Sequence, residues 1–200
     1  TGMNELGFFE EFIIKLQNKS SVKKINKFIV ESFEKVTSKN ILKNYKSHFS
    51  MVISTPVYTQ LFITQVNVIL QSFIQAQFYS MEQVNEIQVK LMELLPRILT
   101  NYNDLLLSVA KQDAIICIWS DMIESQPNSE LLERVKTQQG CKKEKVATIE
   151  EFLSKMEMGL ARYGREDLWE KTKEMYSDWW IWPFQKNRYF LVYGYIGRKK

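Results

Sequence analysis

His48 is the only histidine in the chain, and Cys117 and Cys141 are its two cysteines. A two-histidine metal site, a HExxH zinc protease and a carboxylate-histidine di-iron bundle all need more histidine than one chain supplies. Two separated cysteines rule out a zinc finger in the same way. A Ser-His-Asp or Cys-His arrangement could draw only on His48, which follows Lys46 in a polar segment, and no GxSxG turn occurs. His48 therefore reads as a surface or capping residue. Loops that cradle phosphate are missing as well: there is no GxxxxGK[ST] and no GxGxxG, and the glycines are scattered at 2, 7, 140, 159, 164, 194 and 197. The carboxylate pairs Glu10-Glu11, Glu150-Glu151 and Glu166-Asp167 fall in first helical turns or on polar faces, where they favour the helix dipole. The expectation is a protein that is not an enzyme, with no catalytic, cofactor-binding or metal-binding residues.

Two groups of residues remain whose chemistry is that of contact. No residue from Ser47 to Met81 carries a formal charge. Within that stretch Gln60, Thr64, Asn67, Gln71 and Gln75 recur in steps of four, three, four and four, which sets them in one line along a helix. The remaining faces carry Leu61, Phe62, Val66, Ile69, Leu70, Phe73, Ile74 and Phe78. A membrane-spanning helix would bring each of these amides into hydrocarbon at a cost of roughly several kcal/mol, so the run does not read as a span. A face meant for open water is more readily built from Lys and Glu, whereas amides can bond across an interface without desolvating an ion. The second group is the C-terminal run WWIWPFQKNRYFLVYGYIGRKK. There Trp180, Trp182 and Phe184 lie close to Arg188, the residue types concentrated at interface hot spots. Both groups are expected to bind a partner.

The elements that must position them read mostly as helices. Leu6, Phe9 and Ile13 predict a helix over residues 5–17, and Val22, Ile25, Ile29, Phe33 and Val36 predict another with lysines opposite. A further short helix is predicted over Ile41 to Phe49. Thr55-Pro56 reads as the start of a central helix reaching Tyr79. Ser80 with Gln83 fits a capping box, and a helical rhythm follows from Val84 to Val109, interrupted at Pro96 by a kink or a junction of two helices. Leu105, Val109, Ile116, Trp119 and Ile123 continue that rhythm as far as the turn at Ser125. A polar helix follows from Ser129, then a loop over residues 137–147, then a capping box at Thr148 and Glu151, with helical character from Glu166 to about Trp179. Tyr189 to Ile196 is β-prone and would need a second strand, either Met51 to Ser54 or one from a partner.

The fold expected is thus mainly α: a bundle of about seven or eight helices around a long central helix, with an aromatic tail that adds a short strand. Residues 1–178 would form the bundle and 179–200 the aromatic-basic tail. A chain of 200 residues with 45% hydrophobic and 25% charged residues can bury a sizeable core. Its net charge of +4 divides by fifties into +4, −1, −2 and +3, basic at both ends but without the dense stripe of a nucleic-acid binder. Cys117 in AIICIW reads as a reduced core thiol, and Cys141 as part of a polar loop. Thr1-Gly-Met3 reads as a processed start with no secretion signal behind it, and the expected compartment is intracellular. The function expected is a helical interaction or scaffold subunit that docks into a larger protein assembly or a homo-oligomer. Two alternatives stand beside it: a helical sensor or carrier of a lipid-like or aromatic ligand, and a peripheral protein on an anionic membrane surface.

Overall fold

The computed structural model describes residues 3, 6–37, 42–55, 62–138, 142–155 and 160–200. They fold as two compact units, one of Thr1–Lys46 with Thr59–Val109 and one of Ser47–Tyr58 with Ala110–Lys200. The first is helical. Its helices are α1 (Phe8–Gln17), α2 (Val22–Thr37), α3 (Ile63–Gln75) and α4 (Met81–Val109), with a 3-10 turn at Lys43–Tyr45. On α2 the spacing of Ile25, Ile29, Phe33 and Val36 sets all four on one buried face, and Lys23, Lys24 and Lys27 stay in water. The Phe8 ring lies 5.1–5.5 Å from those of Phe12, Phe28 and Phe62, so aromatic contacts tie α1, α2 and the start of α3 together. The capping box forms as the sequence predicts: Ser80 N–H donates to Gln83 Oε1 at 2.9 Å, and Gln83 N–H donates to Ser80 Oγ at 3.2 Å. α4 then runs unbroken through Pro96 for 29 residues. The carbonyl that loses its donor there belongs to Met92, which is exposed and open to water. The long helix of the unit is α4; α3, expected to be central, buries only Val66 and Leu70 along its length.

The second unit corrects the expectation of a mainly α, all-helical bundle. It is built on a four-stranded mixed sheet of β1 (Phe49–Ser54), β2 (Ala110–Ser125), β3 (Thr172–Gln185) and β4 (Arg188–Lys199), in the order β1-β2-β4-β3. The whole is a mixed α/β fold. β1 runs parallel to β2, and β4 is antiparallel to both of its neighbours. Residues 110–125 and 172–179, which carry a helical rhythm in sequence, are strands. In β2 burial alternates through Ala114, Ile116, Ile118 and Ser120, Asp121 beside them is buried too, and after a register shift between Asp121 and Ile123 the alternation resumes at Ile123 and Ser125. The helical spacing of Ile116, Trp119 and Ile123 mixes the two faces of the sheet, since Trp119 is outward and the bulge returns Ile123 to the side of Ile116. The stronger signal was the β-branched and aromatic run Ile115 to Trp119. Met51–Ser54 does form a strand, but it pairs with β2, and β4 finds both of its partners within the unit.

Helices α5 (Glu130–Thr137), α6 (Lys142–Lys155) and α7 (Leu160–Lys171) complete this unit. Ser129 caps α5 as predicted, its side chain accepting from Leu132 N–H. α6 begins inside the expected loop, so Thr148 is a buried mid-helix residue rather than a cap. One face of the sheet, termed the inner face, carries Ile118 opposite Tyr195 and Ser120 opposite Tyr193, with Trp179 beside Tyr193 on β3. Trp169 of α7 sits 6.0 Å edge-on to Tyr193, and Lys136 of α5 lies over Tyr189, so the helices cover this inner side. Burial there pushes the Tyr193 hydroxyl up to about 12. Arg165, 3% exposed, is enclosed by Trp169, Tyr193 and Trp179 at 4.6, 5.1 and 5.8 Å and bonded to Glu150 Oε1 at 2.9 Å.

The passage from α7 to β3 has no loop. Thr172, buried at the joint, bonds the Leu168 carbonyl at 2.7 Å and the Tyr195 hydroxyl at 2.6 Å. Thr172→Val keeps the shape and strands the tyrosine hydroxyl, which should lower stability by about 1–3 kcal/mol in urea unfolding. Asp121 at the β2 bulge is nearly buried, with Oδ1 lacking a hydrogen-bond partner among the described residues, and burial raises its pKa. Its contribution to stability is therefore complete below the ordinary carboxylate range and lost as pH rises through the raised value. Asp121→Asn should raise the melting temperature at neutral pH and leave it nearly unchanged at pH about 3, below the usual Asp value. Equal shifts at both pH values would contradict this assignment.

Candidate functional site

The outer face of the same sheet has a different character. Alternation along β3 brings Tyr176, Asp178, Trp180 and Trp182 to this side, opposite Ile196, Gly194, Val192 and Phe190 of β4. On β2 and β1 the outward positions are Ile115, Cys117 and Trp119, then Met51 and Ile53. These residue types would suit a core, yet α5 and α7 pack on the inner face. Met51, Ile53, Tyr176, Trp180, Trp182 and Phe184 are each between 40 and 58% exposed. With about 200 Å² on a large side chain, the six present on the order of 600 Å² of largely apolar surface.

The face has a rigid interior. The Trp180 ring lies over Gly194, where an added Cβ would fall 2.6 Å from Cζ3 of the indole. Glycine is thus required under the ring, an arrangement in which an aromatic shields a bare stretch of strand. Trp182, Phe184 and Phe190 form a triangle of rings with centroids 5.2, 5.7 and 6.2 Å apart. Phe184 joins it because the register shifts between Pro183 and Gln185. Arg188 lies 5.3 Å from the Phe190 ring and 5.7 Å from that of Phe184, and it grips Glu124 with Nε to Oε1 at 2.6 Å and Nη2 to Oε2 at 2.9 Å. The Arg188 hydrogen bonds hold the Glu124 carboxyl below its usual range. Asp178 is pushed up by burial but ends below its ordinary value, because Trp179 N–H and Lys145 Nζ donate to it at 2.8 and 3.1 Å. The negative charge of Asp178 in turn raises the neighbouring Tyr176 hydroxyl, which donates to Oδ2 at 3.2 Å. Both carboxylates are thus held in ion pairs, Glu124 with Arg188 and Asp178 with Lys145.

Of the residues expected to bind a partner, Trp180, Trp182, Phe184 and Arg188 are therefore brought together on one sheet face. The amide line belongs to the helical unit. Gln60 lies outside the described residues, as does Pro56 at the expected start of its helix. Thr64, Gln71 and Gln75 are exposed on α3, whereas Asn67 is half-buried and accepts from Gln88 Nε2 of α4 at 3.0 Å. An open groove of about 570 Å³ runs beside it, lined by Phe9 and Glu10 of α1 and by Thr64, Gln65, Val68 and Ile69 of α3. Sequence reasoning missed Glu124, Tyr176, Phe190, Met51 and Ile53. The signal was present as alternation, since 176, 180 and 182 share parity, as do 51 and 53, but residues up to 179 were read with a helical period. His48 is exposed, edge-on to Phe49. Among the described residues no group of three His, Cys, Asp or Glu side chains could hold a metal, and no helix is long and apolar enough to cross a membrane.

The chain matches no known protein family, no curated protein and no solved structure. Its chemistry must therefore be read from the face itself. Gly194→Ala should drive Trp180 off the strand, seen as stronger acrylamide quenching of tryptophan fluorescence with the fold intact by circular dichroism. Unchanged quenching would show that the ring does not rest on Gly194.

Proposed function

We propose that the protein is a non-catalytic interaction or scaffold subunit that docks into a larger protein assembly through the outer face of its sheet. The observation that carries this reading is the exposure of Trp180, Trp182 and Phe184, at 40–45%, on the sheet face opposite the one that α5 and α7 contact. An exposed apolar patch on the order of 600 Å² lies at the top of what monomeric proteins tolerate, and patches of that size commonly serve binding. Tryptophan, phenylalanine and arginine at its centre are the residues that dominate interface energetics. The half-buried free thiol of Cys117 on this face supports an intracellular setting, where it would stay reduced.

The open groove beside α3 gives the carrier reading one observation, a volume within the range of small-molecule sites. It ranks second because such sites enclose most of their ligand. A membrane surface is the other competitor for the aromatic face.

The readings separate by experiment. In size-exclusion of native extract, the chain should elute in an assembly larger than its own 23.7 kDa mass, and Trp182→Lys with Phe184→Lys should release it. Unaltered elution of the double variant would count against the docking reading. Flotation of the wild-type chain with anionic vesicles, abolished by the same pair, would favour the membrane instead.

A further inference from the structure

Resting on the reading of the outer face as a docking surface, we infer that its occupant is a second copy of this chain, packed sheet against sheet about a two-fold axis. Three features of the face lead to this occupant. The first is area. Six side chains supply about 600 Å², and the half-buried rings of Trp119 and Phe190 between them bring the patch close to the roughly 800 Å² per partner of a stable interface.

The second is charge. A partner chosen by electrostatics would need unmatched charge of one sign, yet Glu124 is held by Arg188 and Asp178 by Lys145 within the chain. Asp121, opposite Val192, is itself buried, and the large side chains that stay exposed between the two ion pairs are apolar, which is the composition of homodimer interfaces more than of transient ones. The exposed cations Lys173 and Arg198 stand at one end of the face, away from the ring triangle, so an isologous contact centred on the rings does not bring them against their own copies.

The third is shape. Four twisted strands with large side chains at alternate positions can interdigitate with an identical sheet at about 30°, closing a core some 10 Å thick. Met51 and Ile53 stand on one edge strand and Trp180 and Trp182 on the other, so apolar contacts extend across the full width of the sheet. The contact closes on itself.

The test uses the purified full-length chain in sedimentation equilibrium at micromolar concentrations. The expected mass is twice the 23.7 kDa of one chain. Trp182→Lys, and independently Ile53→Lys at the opposite edge, should each weaken dimerisation by roughly 30-fold or more, with unchanged circular dichroism. Val68→Lys, on the exposed side of α3, should leave the dimer intact. A monomeric wild-type chain, or a dimer indifferent to both sheet substitutions, overturns the inference. If the wild-type chain is monomeric yet Trp182→Lys with Phe184→Lys still releases it from a larger assembly in extract, the docking reading stands and only the self-association fails. If that double variant also elutes unchanged, both fail.

Discussion

A buried strand must have its amides and carbonyls paired on both sides, and β4 is the strand on which the sheet unit is organised. Arg188–Lys199 exchanges hydrogen bonds with β2 along one edge and β3 along the other, while β1 extends the sheet beyond β2. Its side chains meet opposite requirements on the two faces. Leu191, Tyr193 and Tyr195 point toward helices, and Phe190 and Gly194 point away from them. The two glycines of β4 serve these faces separately. Gly194 lies beneath the Trp180 ring outside, and Gly197 lies beneath Tyr195 inside, where an added Cβ would fall 2.5 Å from the tyrosine ring.

The inner face is held by polar groups set in aromatic surroundings. Arg165 is a buried cation among three rings, and desolvation of such a charge is tolerable only because the rings and Glu150 replace water. The pair fixes α7 relative to α6, and Thr172 fixes α7 relative to β4. Helices thus anchored to one side leave the other side without cover. The exposed rings of the outer face follow from this asymmetry, since a sheet with apolar residues on both faces calls for a layer on each.

Several carboxylates of the sheet unit are held in ion pairs. Glu124 and Arg188 brace the ring triangle, Asp178 ties the edge strand to Lys145 of α6, and Glu150 neutralises Arg165. Charge fixed in pairs gives a surface of constant shape, which is what a docking face requires.

Much of the helical structure in both units was legible in sequence because its signals are local. The apolar face of α2, the reciprocal bonds of Ser80 and Gln83 and the Ser129 cap each depend on residues within a turn or two of one another. The β character of Tyr189 to Ile196 was legible for the same reason, in side chains that suit a pleated surface. At Pro96 the sequence left one helix or two open, and the burial of Leu94, Leu95, Ile98 and Leu99 by tertiary packing accompanies the single helix. β2 and β3 were misread because their bulges at Asp121–Ile123 and Glu174–Tyr176 break the alternation, and only a partner strand shows where the extra residue lies. By itself the sequence determined that Trp180, Trp182, Phe184 and Arg188 crowd into nine residues, with aromatic rings beside a guanidinium. Tertiary structure alone decided that they share one face with Met51 and Ile53, because strands distant in the chain become neighbours only through the backbone bonds that set their register.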